Sequence, residues 1–324
     1  MPRRGEGQRI LLTGATGLIG RHLPPRLVER GFQVHAVSSR PRPGDAGDVS
    51  WHTVDLLAPD AVDPLLAEVQ PSHLIHLAWH AGARERWTTV ENVRWLEASL
   101  ALLRAFARYG GRRAVMGGTC AEYDWRFGLC SEAVTPLEPA TLYGRTKLAL
   151  GEVAMAAGEA LGVSLAWARV FFVYGPGEDS TRLVASVARA LLGGEQARTS
   201  AGTQVRDYLH ASDVADALAA LLASEACGAV NVGSGEATTL REIVEAIGRL
   251  VGRPELIRLG ALASSPDEAP FVVADVRRLR GEVGWQPRRG LDAGLADTVA
   301  WWREQAAEGE DGRVRRPSQV GVVP

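Results

Sequence analysis

The sequence predicts an α/β protein, a doubly wound parallel sheet carrying a smaller C-terminal lobe. Three observations predict it. A glycine-rich turn, Thr13-Gly14-Ala15-Thr16-Gly17-Leu18-Ile19-Gly20, joins the apolar run Ile10-Leu11-Leu12 to a helix-patterned segment over residues 21–30. Strand-like and helix-like segments then alternate through the first half of the chain, which is the pattern of successive strand-helix-strand crossovers. At 324 residues and 46% hydrophobic, the chain exceeds what one compact layered unit needs, so a second lobe, and with it a cleft, is expected.

Each element has its own signal. Residues 33–37 read as the second strand, 73–77 and 113–116 as further strands, and 164–172 as a longer one. Between them, residues 91–109 and 143–161 carry apolar side chains at helical spacing. After Gly175-Pro176-Gly177 the order loosens into a helix over 182–192, strands over 196–199 and 205–209, a helix over 213–222, a strand over 230–232 and a helix over 240–251. The expected division gives residues 1–174 plus about 205–234 to the sheet domain and about 175–204 plus 235–305 to the second lobe. Residues 306–324, rich in Glu, Gly, Arg and Pro and without an apolar face, are expected to form a disordered tail.

Composition narrows the partners. A formal charge of -2 provides no footprint for nucleic acid, and no apolar run approaches the roughly 18 residues of a membrane helix. Cys120, Cys130 and Cys227 are too few and too scattered for a disulfide framework or a zinc site, and the polar N-terminus has no apolar signal core. His76 and His80 lack a third ligand at sensible spacing, so no metal is expected. The expectation is a cytoplasmic protein with a small-molecule ligand.

The glycines of the first turn let the backbone bend tightly and approach a pyrophosphate, whose charge meets amides at the positive end of the helix; a dinucleotide is the expected ligand. A second constellation is Tyr143-Gly144-Arg145-Thr146-Lys147. Four residues apart on a helix, Tyr143 and Lys147 lie one turn above the other and can act on one atom. A phenol is a poor proton donor near neutrality unless a neighbouring ammonium favours its ionised form, and Lys147 is the expected source of that charge. Thr119, just after the strand over 113–116, is placed to hold a substrate oxygen against Tyr143.

These motifs, in this order, resemble the extended short-chain dehydrogenase/reductases of the nucleotide-sugar epimerase/dehydratase type, which implies a Rossmann-type sheet. The resemblance runs from Arg9 to about Trp302 through Arg169 with Val173-Tyr174-Gly175-Pro176, Arg206-Asp207-Tyr208-Leu209-His210 with Asp213, Asn231-Val232-Gly233-Ser234-Gly235, and Gly284-Trp285-Gln286-Pro287. It implies a catalytic triad of Thr119, Tyr143 and Lys147. It assigns the dinucleotide to Gly14, Thr16, Gly17, Leu18, Ile19 and Gly20, to Ser38, Ser39 and Arg40, to Asp55 and Leu56, to Leu77, Ala78 and Trp79, and to Tyr143, Lys147, Phe172 and Val173. It implies a nucleoside-diphosphate sugar as substrate, with Arg206 on the diphosphate and His80, Cys120 and Arg182 as further substrate contacts. A homodimer is implied too, through the helices over 91–109 and 143–161, which carry more apolar residues than one sheet-facing stripe needs.

Cofactor choice is read at the end of the second strand. An acidic side chain there selects NAD, whereas NADP needs a cation and small donors. Ser38-Ser39-Arg40 follow Val37, with no carboxylate until Asp45, so NADP(H) is favoured and NAD(H) is the alternative. The resembling 4,6-dehydratases carry Asp-Glu after the catalytic Thr, where this chain has Cys120-Ala121. Those resembling GDP-fucose synthase place a Cys and a His at positions that are Ala121 and Gly177 here. What remains is NADPH-dependent reduction of a nucleotide-linked 4-keto-(6-deoxy)hexose, with an NAD-dependent 4-epimerase as the alternative and a catalytically silent cofactor-binding regulator as the second. Two departures stand out: Trp95, with Asn92 one turn earlier, where an Asn is usual, and no second diphosphate arginine in Ala263-Ser264-Ser265-Pro266-Asp267, so that either Arg258 substitutes or the diphosphate is held differently.

Overall fold

The computed structural model describes residues 7–41, 48–80, 82, 85–264 and 268–310. Apolar runs become strands. β1 (Arg9–Thr13), β2 (Gln33–Ser38), β3 (Val49–Thr53), β4 (His73–His76) and β5 (Arg113–Thr119) alternate with α1 (Leu23–Glu29), α2 (Val62–Val69) and α3 (Glu91–Arg108). They are followed by β6 (Leu129–Cys130), α4 (Leu142–Leu161), β7 (Ser164–Val170), β8 (Phe172–Tyr174) and α5 (Leu183–Leu192). Next come β9 (Ala197–Arg198), β10 (Val205–Arg206), β11 (Tyr208–His210), α6 (Ala211–Ala223), β12 (Gly228–Val232), β13 (Thr238–Thr239) and α7 (Leu240–Val251). The chain closes with β14 (Ile257–Arg258), β15 (Phe271–Ala274), α8 (Arg277–Gly281) and α9 (Leu291–Glu310).

Seven strands form one parallel sheet in the order β12-β7-β5-β4-β1-β2-β3. The chain winds outward from β1 in one direction, then crosses to β4 and winds in the other, so β1 and β4 flank the switch point where such sheets bind ligands. Apolar layers bury both faces: one holds Leu12, Leu23, Leu27 and Ala166, the other Leu11, Leu66, Leu103, Phe106 and Trp167. The other described strands form a four-stranded sheet, β13-β10-β15-β6, and two pairs, β8 with β11 and β9 with β14.

Several boundaries differ from the sequence reading. The helix expected over 21–30 opens as a single tighter turn, Gly20–His22, before α1 carries Pro24 and Pro25 in its first turn. The strand expected over 164–172 is two, β7 in the large sheet and β8 paired with β11. The one expected over 205–209 is also two, because Asp207 turns inward to accept from Ser234 and Gly235 amides. α9 runs to Glu310, past the expected start of the tail at 306, because Leu295, Val299 and Trp302 pack on the core. Residues 311–324 lie outside the described residues. Among the described residues no helix is long and apolar enough to cross a membrane.

Candidate active site

At the carboxyl ends of β1, β4 and β5 lies a cavity of about 250 Å³. Gly14, Gly17, Leu18, Ile19 and Gly20 line it from the first turn, with Leu77 and Trp79 from the segment after β4. Thr119, Cys120, Tyr143 and Lys147 line it too, as do Phe172, Val173 and Arg182. The first turn is made by backbone alone: Gly14 has φ +69, and its carbonyl accepts from Gly17 N at 3.0 Å. A Cβ on Gly14 would stand 2.7 Å from the Leu77 carbonyl carbon, and one on Gly20 2.0 Å from the Gly14 oxygen. The bare backbone of this turn at the head of a helix fits a dinucleotide pyrophosphate.

Thr119 is brought to Tyr143 by a glycine. Thr141 caps α4, its Oγ1 accepting from Gly144 N at 3.1 Å. A Cβ on Gly144 would lie 2.4 Å from the Ala121 oxygen, so glycine there lets α4 press against the turn that follows Thr119. Burial raises the Tyr143 phenol, and the Arg86 charge and the Thr119 hydrogen bond oppose that rise. Lys147, expected to supply such a charge, has its Nζ donating to Gly117 O at 2.8 Å and lying 3.6 Å from the centre of the Trp79 ring. Burial brings its ammonium down to about 7, with Glu122 pulling the other way.

Glu122 was not singled out by the sequence. It is wholly buried, accepts from Thr119 N at 2.8 Å, from Trp167 Nε1 at 3.0 Å and from Arg169 Nε at 2.7 Å, and so fixes the backbone that presents Thr119. The signal was present: Thr119 and Glu122 make a capping box, a hydroxyl followed three residues later by a carboxylate. Trp79 is held by Asn92, whose Oδ1 accepts from its Nε1 at 2.8 Å while Nδ2 donates to the Arg86 and Thr89 carbonyls. Trp95 stacks on Trp79 at 6.3 Å. Arg86 and Trp87, from the turn Glu85–Trp87, also line the cavity and were likewise missed.

Other expected residues lie outside this cavity. Thr16 is exposed, and Ala78 N donates to Thr13 Oγ1 at 3.3 Å. Ser38 Oγ bonds the carbonyl and amide of Arg40, closing the turn that contains Ser39 on itself. Asp45 lies outside the described residues. Asp55 accepts from Leu57 N, and Leu56 is buried in the core. His80 Nε2 lies 3.8 Å from Glu85. His76 spends one nitrogen on Thr13 and the other on Ser99, tying β1, β4 and α3 together. Arg206 is fully buried, 3.1 Å from Glu268 and 5.5 Å from the Phe172 ring, where a pairing with Asp207 or Asp213 was the alternative. Arg258, the candidate for the second diphosphate arginine, does not line the cavity; its Nη1 donates to the Glu255 and Ile257 carbonyls. Of the segment that lacks the second arginine, residues 265–267 lie outside the described residues.

A family model, that of the NAD dependent epimerase/dehydratase family, matches residues 10–233. The chain belongs to this family. It is 27% identical to UDP-glucose 4-epimerase of Bacillus subtilis across 90% of this chain and 96% of that protein. UDP-glucose 4-epimerase of Thermus thermophilus in complex with NAD is a similar structure, with a TM-score of 0.79 and 28% identity over 91% of this chain and 99% of that one. MoeE5, solved with UDP-glucose and NAD, has a TM-score of 0.79 and 32% identity over 92% and 99%. The relatives act on or bind nucleotide sugars and nicotinamide dinucleotides.

Proposed function

We propose that the chain is a nucleotide-sugar 4-epimerase that uses NAD. The observation that carries this is the convergence of Thr119, Tyr143 and Lys147 on one cavity beneath the glycine turn. The 4-epimerases among the relatives favour epimerisation over the net reduction expected from sequence. Gly14, Gly17 and Gly20 would hold the pyrophosphate, and Lys147 the nicotinamide end. When bound, the nicotinamide supplies a hydride acceptor that later gives the hydride back. Tyr143 takes the proton of the sugar 4-hydroxyl as carbon 4 loses hydride, and returns it to that oxygen as carbon 4 regains hydride from the other side. Thr119 holds the same oxygen. Dehydration is disfavoured: the carboxylate nearest Thr119 in sequence, Glu122, is fully engaged by Trp167, Arg169 and the Thr119 amide.

A second reading, NADPH-dependent reduction of a 4-keto sugar, is favoured by the turn Ser38-Ser39-Arg40, which has no carboxylate. Incubation with NAD and UDP-glucose separates the readings. UDP-galactose formed without net change in NADH supports epimerisation; oxidation of NADPH only with a 4-keto sugar supports reduction; cofactor binding with neither supports a regulator. We also propose that α3 and α4 pair with a second copy of the chain.

A further inference from the structure

Two guanidinium groups line the cavity, those of Arg86 and Arg182. Arg182 has partners: Nη2 donates to Val173 O at 2.7 Å and Nε lies 3.6 Å from Glu178. Arg86 has none of that kind. Its Nε is sealed from solvent without a hydrogen-bond partner, and no carboxylate among the described residues forms an ion pair with it. Its guanidinium lies 4.9 Å from the Trp87 ring centre and 5.9 Å from that of Tyr143. The charged and titratable groups that face it are Arg182, which repels it, and Tyr143, Cys120 and Asp179. Asp179 is already bound by Thr181, through its amide at 2.8 Å and its hydroxyl at 2.6 Å. A half-buried guanidinium whose Nε has no partner is unfavourable until an oxyanion takes the planar fork, and aromatic faces beside it strengthen that pairing by excluding water.

We propose that Arg86 binds an anionic substituent of the sugar itself, a carboxylate at carbon 6 of a hexuronic acid. The inference rests on the nucleotide-sugar reading above and names its substrate class. Carbon 6 is two bonds from carbon 4, so a group held at Tyr143 by its 4-oxygen would place that carboxylate beside Arg86. The diphosphate is the other oxyanion on such a ligand, but the arginine that the resemblance assigns to it, Arg206, lies elsewhere, on β10.

Titration calorimetry on the NAD-loaded protein with UDP-glucuronic acid and with UDP-glucose tests this. Arg86→Gln is expected to weaken UDP-glucuronic acid roughly tenfold to a hundredfold and UDP-glucose by less than about threefold, as loss of one charge-assisted contact implies. Arg86→Lys, which keeps the charge but not the fork, is expected to fall between and serves if the glutamine variant does not fold. Equal weakening of both ligands would make Arg86 a diphosphate contact, and no weakening of either would remove it from the site; each result overturns the proposal. If neither ligand binds the unaltered protein, the nucleotide-sugar reading fails and this inference with it.

Discussion

At the residue scale, Tyr143 and Lys147 have opposite problems. Burial pushes the Tyr143 phenol up and the Lys147 ammonium down to about 7, so each depends on a neighbour to hold the state that proton transfer needs. Replacing Tyr143 with Phe removes the proton-transfer atom while leaving the wall of the cavity; turnover is expected to fall roughly a hundredfold or more with cofactor affinity unchanged. Steady-state rates on UDP-glucose together with NAD titrations check this, and normal turnover would contradict it. Lys147 leaves a mark on stability. Between about 7 and its ordinary 10.5, the unfolded chain binds a proton that the folded chain does not, so this group makes stability rise with pH in that window. Urea unfolding at about pH 7 and about pH 9 is expected to show a smaller gain for Lys147→Met than for the unaltered protein. Equal gains would mean that Lys147 stays charged. Thr119, Tyr143 and Lys147, which line one cavity, could be picked from the sequence because each carries chemistry in its own residue type at recognisable spacing. Trp79 was named from the sequence, but Arg86 was not legible, since its place beside Tyr143 arises only when the turn Glu85–Trp87 packs on α4.

At the scale of elements, position depends on side chains that are missing. Gly144 lets α4 touch the Thr119 turn, and a methyl there meets backbone rather than a movable side chain. Gly144→Ala is therefore expected to shift α4 and to lower turnover about a hundredfold, the cost of a displacement near 1 Å at reacting groups. A circular dichroism melt checks that the variant is folded, and unchanged turnover would show that the contact relaxes freely. The same helix carries Val153 at 50% exposure, and α3 carries Val93 at 43%, so apolar residues remain on their outer faces. Light scattering across a dilution series is expected to give twice the 34.7 kDa of one chain, and Val153→Glu to lower that mass. A monomer throughout would leave these residues unpaired. The long strands and helices of the first half were legible because period and length agree. The breaks at Phe171 and Asp207 were not: apolar residues continue across the first, and the second follows from amides more than twenty positions away that capture one carboxylate.

At the scale of the whole molecule, strand order places the site. Winding that reverses between β1 and β4 leaves a crevice at their carboxyl ends, and Phe172 of β8 and Arg182, the residue before α5, line it as well. Length led to the expectation of a second lobe; the pairing of the smaller sheet was not legible, because β6, from before α4, pairs with β15 from near the end of the chain. The central claim is that carbon 4 of a nucleotide sugar loses hydride and regains it within one binding event. Conversion of UDP-glucose labelled with deuterium at carbon 4 tests it most directly. The account predicts UDP-galactose that keeps the deuterium at carbon 4, with no NADH released. Product without the label, or no inversion at carbon 4, would contradict it.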